Sequence, residues 1–234
     1  MRKAACLALL AVVLLLFGCA STKPLAGLVI PYGDNERLTY DFLVNGQKVA
    51  EAQFYAKKDQ IEQQMAWLLS MDLKAGDQAE INEVWTDLAT LKPYYSRIQL
   101  TSPQGSYDIK TRYSDKVVSL EAETPQGKQQ AERKISGVIY DNAQILMTLR
   151  ALPIANDYQT KLSFVQTKNL SRGEMIVKVV GNERVQVPAG EFECYKVEMS
   201  IQGARQSVWY STDAKHWLVR YDNGQSQFVL RRLS

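Results

Sequence analysis

Alternation of apolar and polar residues, interrupted by short turn sequences, is the feature that most restricts the fold of this chain. In the segment that begins at Glu36, every second residue is apolar: Leu38, Tyr40, Phe42 and Val44. Asn45-Gly46 follows, and this pair favours a two-residue type I′ turn because both positions need a positive φ. The sequence therefore predicts a β-hairpin whose return strand runs from Gln47 to about Lys57.

The hairpin has a predicted register. Counting outward from the turn gives three pairs: Val44 with Gln47, Phe42 with Val49, and Tyr40 with Glu51. Glu51 would then share a face with Tyr40 and Phe42, where an ionised carboxylate needs a partner. That face is interpreted either as a polar-lined pocket or as a surface on which an arginine covers the carboxylate.

The same rhythm continues through the rest of the chain. Further strands are predicted at Ile61–Leu73, Ala79–Trp85, Tyr94–Thr101, Ser106–Tyr113, Lys116–Glu123, Lys128–Ile135, Lys161–Thr167, Glu174–Val180, Glu191–Ile201, Gln206–Thr212, His216–Asp222 and Gln225–Leu233. The first two also allow a helix, since Gln, Met, Leu and Ala are common in both. Turns are predicted at Pro103-Gln104-Gly105, Ser114-Asp115, Pro125-Gln126-Gly127, Gly181-Asn182, Pro188-Ala189-Gly190 and Gly203. This pattern predicts a mainly β fold, with a single domain at 36–234 built as a curved antiparallel sheet or an incomplete barrel.

One short helix interrupts the strands, at about 142–151. Asp141 and Gln144 have the spacing of a capping box, in which each side chain bonds a backbone amide at the helix start. Pro153 prevents continuation of the helix. Ile145, Leu146 and Leu149 form an apolar face, so we expect the helix to plug or flank the sheet.

The first eighteen residues do not belong to this pattern. Arg2 and Lys3 precede the uncharged run Ala4–Phe17, which is shorter than the roughly 20 residues that span a bilayer and is typical of a signal peptide. The run ends in Leu16-Phe17-Gly18-Cys19, which resembles the lipobox of bacterial lipoproteins, although Phe17 is bulkier than usual. The resemblance implies cleavage before Cys19 and lipid attachment to that residue. The alternative is an ordinary signal peptide, or a short anchor, followed by a chance cysteine.

The residues after the lipobox carry two further expectations. Residues 19–35 contain Pro24, Gly27, Pro31 and Gly33 without a sustained period, so they are predicted to form a lipid-anchored flexible tether. Ala20-Ser21 lacks the Asp that retains many enterobacterial lipoproteins at the inner membrane. We therefore expect a cell-envelope protein, anchored in the outer membrane and facing the periplasm.

Charge and residue usage exclude several classes of site. Without Arg2 and Lys3, 26 basic residues face 25 acidic ones, so the net charge is about +1 and the basic surface that nucleic acids need is missing. A single histidine removes most zinc, copper and haem sites. No Walker, Rossmann or calcium-loop pattern occurs. We expect no nucleic-acid partner, no metal and no cofactor.

Catalysis by a nucleophile and a base would have to use Cys194 and His216. Once Cys6 and Cys19 are assigned to the leader and the lipid, Cys194 has no disulfide partner. Alternation places it with Lys196 on the polar face of a strand, as a half-exposed thiol, while His216 follows a turn. This arrangement does not favour a working pair, and we expect no catalytic residues.

Motifs near the end of the chain resemble those of a known family. They are Val187-Pro188-Ala189-Gly190-Glu191-Phe192 with Lys196-Val197, then Trp209-Tyr210-Ser211-Thr212-Asp213, then Leu218-Val219-Arg220. They are similar to the ending V-T-P-A-G-x-F-x-x-x-K-V, W-x-S-x-D and P-V-R of a family of exported bacterial proteins of unknown function, with Leu218 where Pro is frequent. Earlier segments also fit: Leu38-Thr39-Tyr40 with Asn45-Gly46, Leu91-Lys92-Pro93, and Asp141–Arg150. The resemblance implies a strongly curved antiparallel sheet and no enzyme activity.

Six residues are candidates to face a ligand on the concave side of such a sheet: Tyr40, Phe42, Glu51, Trp67, Trp85 and Trp209. Apolar walls with a few polar groups suit a lipid or a glycan, although aromatic residues in strands also serve plain core packing and cross-strand pairing. The first functional hypothesis is a non-enzymatic, lipid-anchored protein that binds an apolar or amphipathic ligand. The second is a scaffolding lipoprotein that binds an envelope protein, and the third, which the residues support least, is an envelope hydrolase.

Overall fold

A computed structural model of the chain describes residues 24–234. The predicted signal segment and Cys19 lie outside the described residues. Within residues 24–234 no helix has the length and apolar character that crossing a membrane requires.

The described chain is built mainly of β-strands. They are β1 (Glu36–Val44), β2 (Gln47–Ile61), β3 (Gln64–Ala75), β4 (Gln78–Thr86), β5 (Pro93–Ser102), β6 (Gly105–Tyr113), β7 (Val117–Thr124), β8 (Gly127–Lys134), β9 (Tyr140–Asp141), β10 (Gln159–Gln166), β11 (Ser171–Val187), β12 (Gly190–Ile201), β13 (Ala204–Ser211), β14 (Leu218–Asp222) and β15 (Ser226–Leu233). A 3-10 turn at Asn142–Gln144 leads into the helix α1 (Ile145–Leu149). The predicted strands are confirmed, including the two for which a helix was the alternative.

All strands belong to one sheet, in the order β8-β7-β6-β5-β4-β3-β2-β1-β15-β14-β13-β12-β11-β10-β9. Each strand pairs with its neighbour in an antiparallel manner, except that the short β9 runs parallel to β10. The first strand pairs with the last, which joins the two halves of the chain. The predicted curved antiparallel sheet with one short helix is confirmed. The sheet stays open, with β8 and β9 as its edges.

The first hairpin forms where predicted, but its register shifts by one residue. Asn45 and Gly46 have φ values of 49° and 79°, as a type I′ turn requires. A bulge between Phe42 and Leu43 then places Phe42 opposite Ala50 and Tyr40 opposite Ala52. Because side chains alternate between faces, this shift moves Glu51 to the outer face. The predicted pairs of Phe42 with Val49 and of Tyr40 with Glu51 are therefore wrong.

A second correction concerns Gly181-Asn182, predicted as a turn. The strand β11 continues through these residues to Val187, and only its register with β12 shifts between Val179 and Gly181. Gly181 has a φ of 159° at this irregularity. A local bulge therefore takes the place of the predicted turn, because the long partner strand β12 offers continuous pairing on both sides of it.

The main core lies between the curved sheet and the helix. Its members include Leu38, Tyr40, Phe54, Trp67, Met147, Leu149, Phe164, Val197 and Tyr210. The capping box at Asp141 and Gln144 is present as predicted. Leu25, Leu28 and Ile30 also pack against this core, although they lie in the predicted flexible tether 19–35. The packed part of the described chain thus begins before Glu36, because these apolar side chains are partly buried against the core.

Candidate functional site

The two ends of the open sheet meet along a line that we call the seam. On one side are β5, β6 and β7, and on the other are residues 139–141 and β10 with the turn that follows it. A small separate core fills the seam: Ile98, Ile109, Val118, Leu120, Ala122, Ile139, Val165 and Leu170. The seam is held by side chains, since no strand of β5–β7 pairs with β9 or β10 in the described sheet.

A buried carboxylate bridges the seam. Asp141 Oδ2 accepts a hydrogen bond of 2.6 Å from the Tyr113 hydroxyl at the end of β6. The Thr167 hydroxyl, just after β10, lies 2.8 and 2.9 Å from the two carboxylate oxygens. The Ala143 amide donates to Oδ1 at 2.8 Å, which makes the same carboxylate the cap of the helix segment. One side chain therefore joins β6, the helix start and the end of β10.

The Tyr113 phenol acts in this bridge as a neutral donor. Burial raises the pKa of Tyr113 well above its usual value, and the neighbouring Asp141 carboxylate raises it further. The hydroxyl therefore keeps its proton throughout the physiological range and donates a hydrogen bond to the Asp141 carboxylate.

A cleft of about 540 Å³ opens on one side of this bridge. We call it the first cleft. Its apolar and aromatic walls are Pro93, Tyr94, Tyr113, Ile135 and Ile139, and its polar residues are Asp87, Thr90, Lys92, Ser114 and Asp115, with Gly137 between them. A volume of this size lies within the range of small-molecule sites in proteins. The first cleft can hold a molecule with an apolar body and a polar end.

Asp87 organises the polar side of the first cleft. Its carboxylate accepts hydrogen bonds from the Thr90 hydroxyl and amide, both 2.7 Å long, and from the Tyr94 hydroxyl at 2.7 Å. Burial by itself would raise the pKa of Asp87, but these hydrogen bonds outweigh it and lower the pKa to about 2. The pKa of Tyr94 is raised to about 12 by burial and by the Asp87 carboxylate. The loop between β4 and β5 is thereby fixed at the cleft wall.

A smaller cleft of about 330 Å³, which we call the second cleft, lies on the other side of the bridge. Its apolar floor consists of Phe54, Met71, Ile98 and Leu146. At its rim, Lys168 forms an ion pair of 3.2 Å with Glu80, which also accepts a hydrogen bond from Asn82. This ion pair links β4 to the turn after β10 and narrows the second cleft.

A buried arginine stands at the other end of the helix. Arg150 is fully buried and forms an ion pair of 2.5 Å with Glu36. It also donates to the carbonyl oxygens of His216 and Lys215, each at 3.0 Å. The rings of Tyr32 and Trp217 lie 5.4 and 5.2 Å from the guanidinium carbon. These contacts fix the helix end to β1 and to the β13–β14 connection, away from both clefts.

The candidate ligand-facing residues lie in three different places. Tyr40, Phe42, Trp67 and Trp209 belong to the main core or pack against it. Glu51 lies on the outer face beside Lys48, at 3.8 Å. Trp85 contacts Tyr95 and donates to Asp59, and Trp209 is held between Lys196 and Arg220. None of these six candidates lines either cleft.

The side chains of Cys194 and His216 have different hydrogen-bond partners. Cys194 is fully buried rather than half-exposed, and burial together with nearby carboxylates raises its thiol pKa to about 12. The His216 ring nitrogen Nδ1 lies 3.0 Å from the Arg150 carbonyl oxygen. The described residues contain no group of three or more His, Cys, Asp or Glu side chains that could hold a metal ion.

Residues 37–227 match the model of a protein family described only as being of unknown function, DUF3108. The chain belongs to the DUF3108 family. This confirms the predicted membership of an uncharacterised family of β-proteins. No curated protein matches the chain.

Solved structures add a comparison at the level of the fold. A β-barrel-like protein of the unknown-function family DUF1849 from Brucella abortus has a TM-score of 0.53 and 8% identity, covering 87% of this chain and 98% of that one. A Bacteroides fragilis protein described as exported, with a YmcC-like fold, has a TM-score of 0.35 and 16% identity, covering 89% of this chain and 99% of that one. The first likeness shows a shared barrel-like fold.

The sequence analysis did not identify the residues that line the clefts as a site, and of the bridge between the clefts it identified only Asp141. Asp141 carries a local signal, because the capping box places its carboxylate at the start of the helix. Tyr113 and Thr167 are simply the last residue of a strand and a residue after one, and their meeting depends on how the sheet curves. Asp87 lies between two predicted strands, where an acidic residue has no distinctive pattern.

Proposed function

We propose that this DUF3108 protein is a lipid-anchored protein of the bacterial cell envelope that binds an amphipathic, lipid-like molecule in the first cleft and has no catalytic activity. The observation that carries the proposal is the cleft itself, which combines apolar walls with polar residues along one side. The anchor is proposed from the leader and from the resemblance of Leu16–Cys19 to a lipobox. The proposed location is the outer membrane, facing the periplasm, because Ala20-Ser21 lacks the Asp that retains many enterobacterial lipoproteins at the inner membrane.

The lining of the first cleft supports a ligand with two unlike parts. Ile135, Ile139 and Pro93 offer surfaces against which an acyl chain gains free energy by leaving water. Lys92 forms an exposed ion pair of 3.2 Å with Asp115, and such exposed pairs are weak enough to rearrange around a polar head. A lipid-like ligand therefore fits the first cleft, with its apolar chain along these walls and its polar head near Lys92.

The absence of catalytic activity is supported by the state of the nucleophile that the sequence offers. A thiolate is the reactive form of cysteine, and burial of Cys194 with a raised pKa disfavours that form. Asp87 and Asp141 have their oxygens engaged by hydroxyl and amide donors. Both carboxylates thus support the structure around the cleft.

The binding proposal is tested by filling the first cleft. The mature chain with Cys19→Ser is prepared in three forms: unchanged, with Ile135→Trp, and with Ile176→Trp. Ile135 is half-buried in the cleft wall, whereas Ile176 is exposed on β11 and provides a control of the same size. Thermal unfolding is followed with lysophosphatidylcholine and, separately, with maltotriose.

We expect lysophosphatidylcholine to raise the unfolding temperature of the unchanged chain and of Ile176→Trp. The rise should be lost in Ile135→Trp, because the indole occupies the space of the ligand. Maltotriose should have no effect. Equal shifts in both tryptophan variants, or no shift in the unchanged chain, would contradict the proposal, and a response to maltotriose alone would favour a glycan ligand.

The alternative is a scaffolding lipoprotein, and the edge strand β8 is the observation that favours it. All residues of β8 are exposed, and its outer edge lacks a partner strand in the described sheet. An unpaired edge can add a strand from another protein. Cross-linking in intact envelopes distinguishes the two functions, since a scaffold yields one fixed protein partner through β8 and a lipid binder yields lipid.

A further inference from the structure

In a sheet of consecutive antiparallel strands, the connections lie alternately at the two ends of the strands, and each series of strand ends forms one rim of the sheet. One rim of the sheet therefore collects the connections 62–63, 87–92, 114–116, 135–139, 188–189 and 212–217. We call it the entry rim, because the first cleft is lined from three of these connections and the adjoining strand ends. The other rim collects turns such as 45–46, 76–77 and 103–104.

The described chain also begins beside the entry rim. The Leu25 amide donates to the Tyr140 hydroxyl at 3.4 Å, and Tyr140 directly follows the connection 135–139. Cys19 precedes Leu25 by six residues, which reach at most about 20 Å when fully extended. The turn 103–104 on the opposite rim is farther away, because Tyr113, which bonds Asp141, lies at the other end of β6, and the nine residues of β6 span about 30 Å. A lipid on the proposed anchor residue Cys19 would therefore lie nearer the connection 135–139 than the turn 103–104.

Three exposed large apolar side chains belong to segments at or next to the entry rim. Val29 is 69% exposed, Met65 52% and Leu88 37%. Val29 belongs to the segment before β1, Met65 is the second residue of β3 after connection 62–63, and Leu88 lies in connection 87–92. Of the other exposed large apolar residues, Val49 is the third residue of β2 near the opposite rim, and Ile176 and Val180 lie within β11. Single exposed apolar residues are ordinary, but these three lie on the side from which the chain leaves toward its proposed anchor.

We propose that the entry rim rests on the lipid surface to which the protein is anchored, with Leu88, Met65 and Val29 in the interfacial layer. Apolar side chains gain free energy there, and the anchor holds them close enough for the gain to be realised. The first cleft then opens toward the bilayer. Its lipid-like ligand enters directly from the membrane, without crossing water. This inference rests on the proposed anchor and adds to it an orientation and a source for the ligand.

The test measures the depth of single probes in vesicles. Full-length acylated protein carrying Leu88→Cys or Gln104→Cys is labelled with an environment-sensitive fluorophore and reconstituted into phosphatidylcholine–phosphatidylglycerol vesicles that contain a spin-labelled quencher lipid. Gln104 is exposed in the turn between β5 and β6, on the opposite rim, and serves as the control. The unsubstituted chain is labelled in parallel, and buried Cys194 should remain unlabelled. Met65→Cys gives a second probe on the entry rim in case Leu88→Cys misfolds.

We expect the Leu88 probe to show a blue-shifted emission and strong loss of fluorescence with the quencher lipid, while the Gln104 probe keeps the emission seen in water. Equal quenching of the two probes, or stronger quenching at Gln104, would overturn the proposed orientation. Flotation with the vesicles reports on the anchor separately. A chain that floats with unquenched rim probes retains the anchor and loses the orientation, whereas a chain that does not float contradicts the proposed anchor itself.

Discussion

The helix segment carries a buried charge at each end, and the two charges are held differently. Arg150 is neutralised by the carboxylate of Glu36 and receives further support from two carbonyl oxygens and two aromatic rings. The Asp141 carboxylate is held by the hydroxyls of Tyr113 and Thr167 and by a backbone amide. One end is an ion pair within the main core, and the other is a set of charge-assisted hydrogen bonds at the seam.

This difference indicates where the molecule can open. A buried ion pair is strongly destabilised when one partner is lost, so its members stay together. Hydroxyl donors can exchange a protein acceptor for water at a smaller free-energy difference. We therefore expect the Arg150 end to be the stronger attachment of the helix. We expect the Asp141 end, which separates the two clefts, to be the weaker attachment.

The largest expected effect comes from Arg150→Met. Removal of the guanidinium leaves the Glu36 carboxylate buried without its counter-ion, which should lower the free energy of unfolding by about 3–5 kcal/mol. Urea unfolding measures the change. The double variant Arg150→Met with Glu36→Gln should recover part of the loss, because no unpaired charge remains. If Arg150→Met lowers the free energy of unfolding by only about 0.5 kcal/mol, as a surface substitution does, the Arg150 end is not the stronger attachment of the helix.

Asp141→Ala should have an intermediate effect. It removes the helix cap and leaves the Tyr113 and Thr167 hydroxyls without an acceptor, so we expect a loss of about 2–3 kcal/mol in the free energy of unfolding. Hydrogen exchange should also rise in β10, at the seam, more than in β12. The exposed neighbour Asn142→Ala is the control. If Asp141→Ala destabilises the protein more than Arg150→Met does, the seam is the stronger of the two ends.

The smallest expected effect concerns Asp87, a carboxylate at the surface of the first cleft. Its pKa of about 2 in the folded protein lies below the value of about 3.9 in an unfolded chain. The hydrogen bonds to Asp87 therefore stabilise the protein above about pH 4, and this contribution is lost as the pH falls toward 2. Because the side chain is partly exposed, we expect at most about 1 kcal/mol.

Asp87→Asn measures this contribution. In the variant, the difference between the urea midpoints at about pH 5 and about pH 3 should be smaller than in the unchanged chain. Asp115→Asn, at an exposed position of the same cleft, is the matched control and should leave the difference unaltered. An identical pH dependence in all three proteins would show that the hydrogen bonds of Asp87 add nothing to stability.

Local features of the fold were predictable because they depend on neighbouring residues. The Asn45-Gly46 turn and the capping box at Asp141 follow from backbone geometry within a few positions. The bulge between Phe42 and Leu43 was not predictable, since it reflects how β1 fits between β2 and β15. That one bulge moved Glu51 from the inner to the outer face. A small tertiary adjustment thus changed a candidate site residue into a surface residue.

The sequence by itself determined that this chain is a mainly antiparallel β protein with one capped helix and the motifs of its family. Alternation, turn residues and caps act over short distances, and they are written in consecutive residues. Only the tertiary structure decided that Tyr113, Asp141 and Thr167 meet, that Arg150 is buried against Glu36, and that two clefts flank the seam. Those contacts join residues up to 114 positions apart, and the curvature of the whole sheet sets them.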